Sequence, residues 1–150
     1  MVRQAIYILT ILFLTCCSNT ERNFAQDFIV FESNAYGKDG GFTPTITQID
    51  KANLKLLNYL DTKTKNKETI YINSLDGKVP LQDQLKYYKR RYFGRTTIEG
   101  EQIIRIEFVF VRCGGQEEWK KIDYTKDETK DCWWSVLYNI DHNQVYDLKL

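Results

Sequence analysis

The chain has 150 residues, 43% of them hydrophobic and 14% aromatic, which fits one domain with a packed core and argues against disorder of the whole chain. Lys and Arg total 21 against 20 Asp and Glu, giving a net charge of +1 at pH 7. This balance argues against nucleic acid as a partner, because phosphate binding needs a basic excess.

The N-terminus has the layout of an export signal. Arg3 precedes an apolar run over residues 5–14 that only Thr10 interrupts. The run is shorter than the roughly 20 residues that a permanent membrane-spanning helix needs, and polar residues follow it at 18–23. The pattern therefore favours a signal peptide over a retained transmembrane anchor.

The residues after this run resemble the lipobox of bacterial lipoproteins. In that motif a Leu at position −3 and two small residues precede the Cys that receives diacylglycerol, and Leu14, Thr15 and Cys16 take these places before Cys17. Lipidation of Cys16 instead would put Phe13 at −3, which is a poorer match, so Cys17 is the predicted site. The sequence departs from the family pattern at −1, where Cys16 replaces the usual Gly or Ala. An ordinary cleaved leader with two incidental cysteines is the alternative.

The resemblance implies a division of the chain and a location. The signal peptide would cover residues 1–16, a tether 17–26 and a single domain 27–150. Lipid, with palmitate among its acyl chains, would hold the mature protein at a membrane of the cell envelope, on the periplasmic or cell-surface side. The implied partners are this membrane and an unknown envelope protein or ligand.

The first half of the domain reads as strand, loop, helix and strand. Residues 27–32 are a short run of β-formers, and glycines mark a loop over 33–44. Thr47 and Asp50 resemble a capping box, after which apolar residues recur at helical spacing as far as Asp61. These apolar positions are Ile49, Ala52 or Asn53, Leu56, Leu57 and Leu60. A second strand follows over 69–75 and a turn at 76–77.

Pro80 suits the first turn of a second helix, which Leu81, Leu85 and Tyr88 would line as far as Gly94. Cations and aromatic residues crowd its end. We interpret four of them as a possible binding surface, because anionic headgroups, a glycan or a nucleic acid can each use cations beside aromatic rings. The four are Tyr88, Lys89, Arg91 and Tyr92. Alternatively, the cations match the helix dipole and the rings pack on the sheet.

The second half of the domain predicts antiparallel strands joined by a disulfide. Residues 103–112 alternate as a central strand, with Ile104, Ile106, Phe108 and Phe110 on one face. Residues 119–124, 133–140 and 145–150 also read as strands. Cys113 follows the central strand and Cys132 precedes the next, and two cysteines in an exported domain predict a disulfide. A bond that encloses 18 residues would stabilise the fold by roughly 3 kcal/mol.

The C-terminal part, over residues 85–150, is also similar to small bacterial envelope proteins of unknown function. The shared pattern is Tyr-x-Arg-Arg-Tyr-Phe-Gly ending at Gly94, an apolar strand ending near Cys113, Trp119, and Asp-Cys-Trp ending at Trp133. This resemblance implies a common fold and no particular activity.

The predicted fold is α+β, with two helices packed on one face of an antiparallel β-sheet, possibly cystatin-like or NTF2-like.

No catalytic residue, metal ligand or cofactor is predicted. The single histidine, His142, lies in a turn, and the acidic residues 123–131 lack the spacing of a calcium loop. The predicted function is that of a lipid-anchored, non-catalytic envelope protein that binds a partner or ligand. The alternative is an envelope hydrolase with a carboxylate pair about 5 to 9 Å apart.

Overall fold

The protein is an α+β domain in a computed structural model that describes residues 27–33, 40–74, 77–113, 117–121 and 132–150. The predicted signal peptide, the lipidation site Cys17 and the tether lie outside these ranges. In chain order the elements are β1 (Phe28–Val30), β2 (Gly41–Phe42), α1 (Ile46–Lys65), β3 (Tyr71–Ser74), β4 (Gly77–Pro80), α2 (Leu81–Gln84), β5 (Tyr88–Thr96), β6 (Gln102–Phe110), β7 (Trp133–Asn139) and β8 (Gln144–Lys149).

The main sheet has six strands and is mixed, so the prediction of an antiparallel sheet needs correction. Its order is β1-β5-β6-β7-β8, with β2 also paired to β5. Strands β5 to β8 form an antiparallel meander, whereas β1 runs parallel to β5. A strand of three residues carries no pattern that reveals its direction, and the long connection through α1 supplies the crossover that a parallel pair requires. Strands β3 and β4 form a separate two-stranded sheet.

Both β1 and β2 pair with the edge of β5 that faces away from β6. Phe28 to Val30 lie opposite residues 90–92, and Gly41 and Phe42 lie opposite the following part of β5. A side chain at Gly94 would overlap the backbone carbonyl oxygen of Phe42. The glycine therefore allows β2 to approach β5 closely.

Helix α1 begins at a capping box two residues before the predicted one. The Thr45 hydroxyl accepts a hydrogen bond from the Gln48 backbone amide at 3.3 Å, and the Gln48 side-chain oxygen accepts one from the Thr45 amide at 2.9 Å. Thr47 lies inside the first turn. The sequence holds two overlapping Thr-containing motifs, and the glutamine of the first can reach back to the cap as the motif requires.

The buried side of α1 is the predicted apolar stripe. It consists of Ile49, Ala52, Asn53, Leu56 and Leu60. The four apolar side chains of this set belong to the main hydrophobic core together with one face of the sheet, which supplies Tyr88, Tyr92, Ile104, Ile106, Phe108, Trp134, Val136 and Tyr138. The rings of Phe108 and Trp134 stack with their centroids 3.6 Å apart. The predicted core face of β6 is therefore confirmed.

The prediction of a second helix from Pro80 to Gly94 is correct only for its first turns and wrong after them. Helix α2 has four residues, a 3-10 turn follows over Leu85–Tyr87, and the chain then enters β5. Tyr88 and Tyr92 are four residues apart, so they share a face in a helix and in a strand alike, and their spacing could not decide between the two. The strand prevails because all nine residues of β5 pair with β6.

The strand predicted over 119–124 is wrong in its described part, because Trp119 and Lys120 lie in a 3-10 turn, Glu118–Lys120, and Lys121 follows it outside any strand. Residues 122–124 lie outside the described ranges. Within those ranges, no helix combines the length and the apolar character that crossing a membrane requires.

Candidate functional site

The four residues of the predicted binding surface lie on β5, where strand geometry divides them between two faces. Tyr88 and Tyr92 face α1 and are 2% and 0% exposed. Lys89 and Arg91 face the other side of the sheet, where Arg91 is 2% exposed and Lys89 is half-buried. Three of the four side chains are therefore in the interior and do not form an exposed surface.

The face of the sheet opposite α1, called the distal face below, carries a buried network of charges. Glu107 lies opposite Arg91 in the strand register, and its Oε2 is 3.2 Å from Arg91 Nη1. Its Oε1 is 3.0 Å from Arg105 Nη2. Arg91 also lies over the rings of Phe31 and Phe93, with its Cζ 5.0 and 5.1 Å from their centroids. The two guanidinium groups share one carboxylate.

The predicted disulfide is confirmed, since Cys113 and Cys132 are bonded with their Cα atoms 5.7 Å apart. The bond closes a loop whose described residues, 117–121, lie against the distal face. The backbone oxygen of Lys121 accepts a hydrogen bond from Arg91 Nη2 at 2.8 Å. Trp119 is 1% exposed, and its ring centroid is 5.0 Å from Lys89 Nζ. This part of the loop therefore covers the Arg91 end of the face.

The rest of the distal face includes four half-buried side chains, Arg105, Trp133, Leu137 and Tyr146, called the distal strip below. Leu137 is the register partner of both Arg105 and Tyr146. Arg105 keeps 29% of its side chain exposed, and its Cζ is 5.7 Å from the Trp133 ring centroid. Burial raises the pKa of Tyr146, and the nearby Arg95 opposes this shift. A guanidinium group beside aromatic rings suits recognition of anionic or planar groups.

A second polar group is buried on the α1 side of the sheet. The Tyr92 hydroxyl donates a hydrogen bond to Asn53 Oδ1 at 2.8 Å and accepts one from Arg90 Nη1 at 3.1 Å. Burial is the main cause of the raised pKa of Tyr92. These contacts join α1 to the centre of β5, so their role is structural.

His142 lies at the turn between β7 and β8 and joins it to the turn between β5 and β6. Its Nε2 is 2.6 Å from Glu101 Oε1, and Asn139 Nδ2 donates a hydrogen bond to Glu101 Oε2 at 2.9 Å. A carboxylate that orients an imidazole is one part of a catalytic triad. In the described part of the chain, the hydrogen bonds of this ring bring no hydroxyl or thiol to it. Nor do the described residues include three or more acidic, histidine or cysteine side chains that could hold a metal ion.

Sequence reasoning missed the distal network because it placed Arg91 on a helix. Arg105 and Glu107 stand out as charges within an apolar run, and they share one face of β6. Once β5 is assigned as the neighbouring strand, Arg91 becomes a cross-strand partner of opposite charge for Glu107. The signal was therefore present in the sequence but depended on the assignment of one strand.

Comparison of the chain with protein families, with curated proteins and with solved structures finds no match to any of them.

Proposed function

We propose that the protein is a lipid-anchored, non-catalytic component of the cell envelope that binds a partner or ligand through the distal strip. The observation that carries this proposal is the Cys113–Cys132 disulfide. Disulfides persist in oxidising compartments outside the cytoplasm, so the bond supports the export that the lipobox-like sequence before Cys17 predicts.

The distal strip supports binding because it combines a partly exposed arginine with half-buried aromatic rings. Arginine, tryptophan and tyrosine are the side chains that contribute most often to binding energy at interfaces. Arg105 is held on one side by Glu107 at 3.0 Å and lies over Trp133, so its guanidinium group is already oriented. A preorganised group loses less conformational entropy when a ligand binds.

For the fold, we propose an architecture of the cystatin-like or NTF2-like kind. The support is one long helix, α1, packed on one face of the antiparallel meander β5 to β8. The parallel strand β1 is an addition at the edge of that meander.

The alternative, a hydrolase with a carboxylate pair, has less support. Glu107 is the buried carboxylate of the described residues, and it is shared between Arg91 and Arg105. Both contacts compensate the charge of Glu107, and neither brings it to a second carboxylate. We therefore favour binding over hydrolysis.

The anchor is tested by expressing the protein in a bacterial host and measuring the intact mass and the membrane-bound fraction. Wild type should carry a diacylglycerol group and sediment with membranes, and Cys17→Ala should be unlipidated and released. Cys16→Ala is the matched control, because it places the usual small residue before Cys17 and should keep both properties. Membrane retention of Cys17→Ala would contradict the lipid anchor.

Binding through the distal strip is tested by crosslinking in intact cells, with the lipidated full-length chain as bait. Arg105→Ala should lower the yield of the specific crosslinked complex several-fold, and Arg105→Lys should restore little of it because lysine lacks the planar fork. Lys51→Ala, at an exposed position on α1, is the control and should leave the yield unchanged. Equal yields in all four proteins would exclude the strip as the binding surface, provided that circular dichroism shows each variant folded.

A further inference from the structure

Three of the exposed large hydrophobic side chains of the described residues lie at one end of the main sheet. They are Phe28, Tyr87 and Val111, with 43%, 42% and 38% of their surfaces exposed. The Val111 amide donates a hydrogen bond to the Tyr87 carbonyl oxygen at 2.9 Å. These two residues lie immediately beyond the pair of Tyr88, which begins β5, and Phe110, which ends β6. Phe28 begins β1, opposite Arg90 near the start of β5. Apolar residues gathered at one place on a surface often mark an interaction site.

The chain enters the domain at this same end. The Asp27 carbonyl oxygen accepts a hydrogen bond from the Arg90 amide at 3.2 Å, so the residue before β1 lies beside the first residues of β5. Nine residues, 18–26, separate Cys17 from Asp27. Even fully extended, nine residues span no more than about 32 Å. A lipid on Cys17 would therefore keep this end of the sheet within the length of the tether from the membrane.

The exposed residues next to Tyr87 and Val111 in sequence are cations. Lys86 and Arg112 are exposed at the end where the chain enters, next to Tyr87 and Val111 in sequence. The opposite end, formed by the turns after β5 and β7, carries the acidic residues Glu99, Glu101 and Asp141. Anionic headgroups attract lysine and arginine and repel carboxylates. Lys86 and Arg112 therefore suit an anionic membrane surface, and the exposed carboxylate of Asp27 at the same end lies 3.7 Å from Lys89 Nζ, which offsets its charge.

We propose that this end rests on the membrane to which the lipid anchors the chain. We call the surface the membrane rim and define it by Phe28, Lys86, Tyr87, Val111 and Arg112. The aromatic rings and Val111 would lie at the level of the headgroups, as aromatic residues do at membrane interfaces, and the two cations would contact headgroup phosphates. The inference rests on the proposed lipid anchor and adds the orientation of the domain, with the turn that contains Ile98 directed away from the membrane.

The test uses the lipidated full-length protein in vesicles of phosphatidylethanolamine and phosphatidylglycerol. A photoreactive benzoylphenylalanine replaces Tyr87 in one variant and Ile98 in another. Ile98 is the matched control, because it is the most exposed of the large hydrophobic residues that the structure describes, at 103%, and lies in the turn at the opposite end. After irradiation, mass spectrometry measures the fraction of protein with a covalent lipid adduct. We expect several-fold more adduct at position 87 than at position 98.

A second pair of variants tests the role of charge. Lys86→Glu combined with Arg112→Glu should lower the adduct at position 87 several-fold, whereas Lys51→Glu combined with Lys78→Glu changes the net charge equally at exposed positions outside the rim and should not. Equal lowering by both pairs would show general charge repulsion and overturn the rim as a specific surface.

The intact mass before irradiation separates the two proposals. Protein without diacylglycerol would overturn the anchor and the rim together. Diacylated protein with equal adducts at positions 87 and 98 would overturn the rim alone and leave the anchor standing.

Discussion

Burial of the Glu107 carboxylate without a compensating positive charge would be costly in free energy, since this residue is 1% exposed in the middle of a six-stranded sheet. Two guanidinium groups compensate its charge, and one of them, on Arg91, is itself buried between the sheet and the disulfide-closed loop. Breaking a buried ion pair costs more than the pair contributes, because one charge is left without compensation. The distal network therefore restricts which substitutions the sheet tolerates.

Glu107→Gln should lower the free energy of unfolding by about 3 kcal/mol, because two guanidinium groups would lose their shared carboxylate. Urea denaturation measures this change. Glu99→Gln, at an exposed position in the turn after β5, is the matched control and should change stability by no more than about 0.5 kcal/mol. A loss at Glu107 as small as that at Glu99 would contradict a stabilising role for the network.

Tyr92 should make the fold sensitive to alkaline pH, because burial raises its pKa in the folded state. Below a pH of about 10 the phenol is neutral in both the folded and unfolded chains, so it contributes no pH dependence. Above that pH the unfolded chain releases the proton first, and stability falls as pH rises. Tyr92→Phe cannot ionise, so urea unfolding at increasing alkaline pH should show a smaller decline than in wild type. The same decline in both proteins would contradict this assignment.

At the scale of elements, the start of α1 shows which of two overlapping capping motifs in the sequence forms the cap. Thr45 makes the observed capping contacts with Gln48, and Thr47 lies in the first turn with its side chain exposed. Thr45→Ala should therefore lower stability by about 1 kcal/mol, the usual cost of losing a capping side chain. Thr47→Ala is the matched control and should have little effect, because alanine favours helix at an exposed position. Thermal unfolding distinguishes the two, and equal losses would contradict a special role for Thr45 as the cap.

The elements that the sequence predicts correctly are those in which a single repeat of apolar residues, either helical or alternating, accounts for every apolar position. The stripe from Ile49 to Leu60 fits only a helix, and the alternation in β6 fits only a strand. Strand β5 was taken for a helix because Tyr88 and Tyr92 fit both periods. The error placed Lys89 and Arg91 at the end of a helix, although their side chains belong to the distal face. The site could be predicted no better than the strand that carries it.

At the scale of the whole molecule, the disulfide joins the two features that the proposed function needs. It ties the end of β6 to the start of β7, and these strands form the centre of the sheet that carries the distal strip. It also closes the loop whose residues 117–121 cover Arg91. Pairing of Cys113 with Cys132 was predictable from their positions at strand ends, but the contact between the loop and the distal face was not. That contact depends on Arg91 lying in strand β5 beside β6. No local sequence pattern reveals which strands are neighbours.

Reduction of the disulfide should therefore have two separable effects. Loss of the covalent link should lower the free energy of unfolding by roughly 3 kcal/mol, since the unfolded chain gains conformational entropy. The double variant Cys113→Ser with Cys132→Ser should reproduce this loss without reductant, and adding dithiothreitol to it should cause no further change.

The second effect is exposure of Trp119, which is 1% exposed in the oxidised protein. Trp134 is equally buried but lies in the core beneath α1, so it should stay protected as long as the sheet is folded. Iodide quenching of fluorescence should increase on reduction in wild type and much less in Trp119→Phe, at a urea concentration where circular dichroism shows the sheet intact. If quenching rises equally in both proteins, Trp119 is not the residue that reduction exposes, which would contradict a specific role of the disulfide in holding the loop on the distal face.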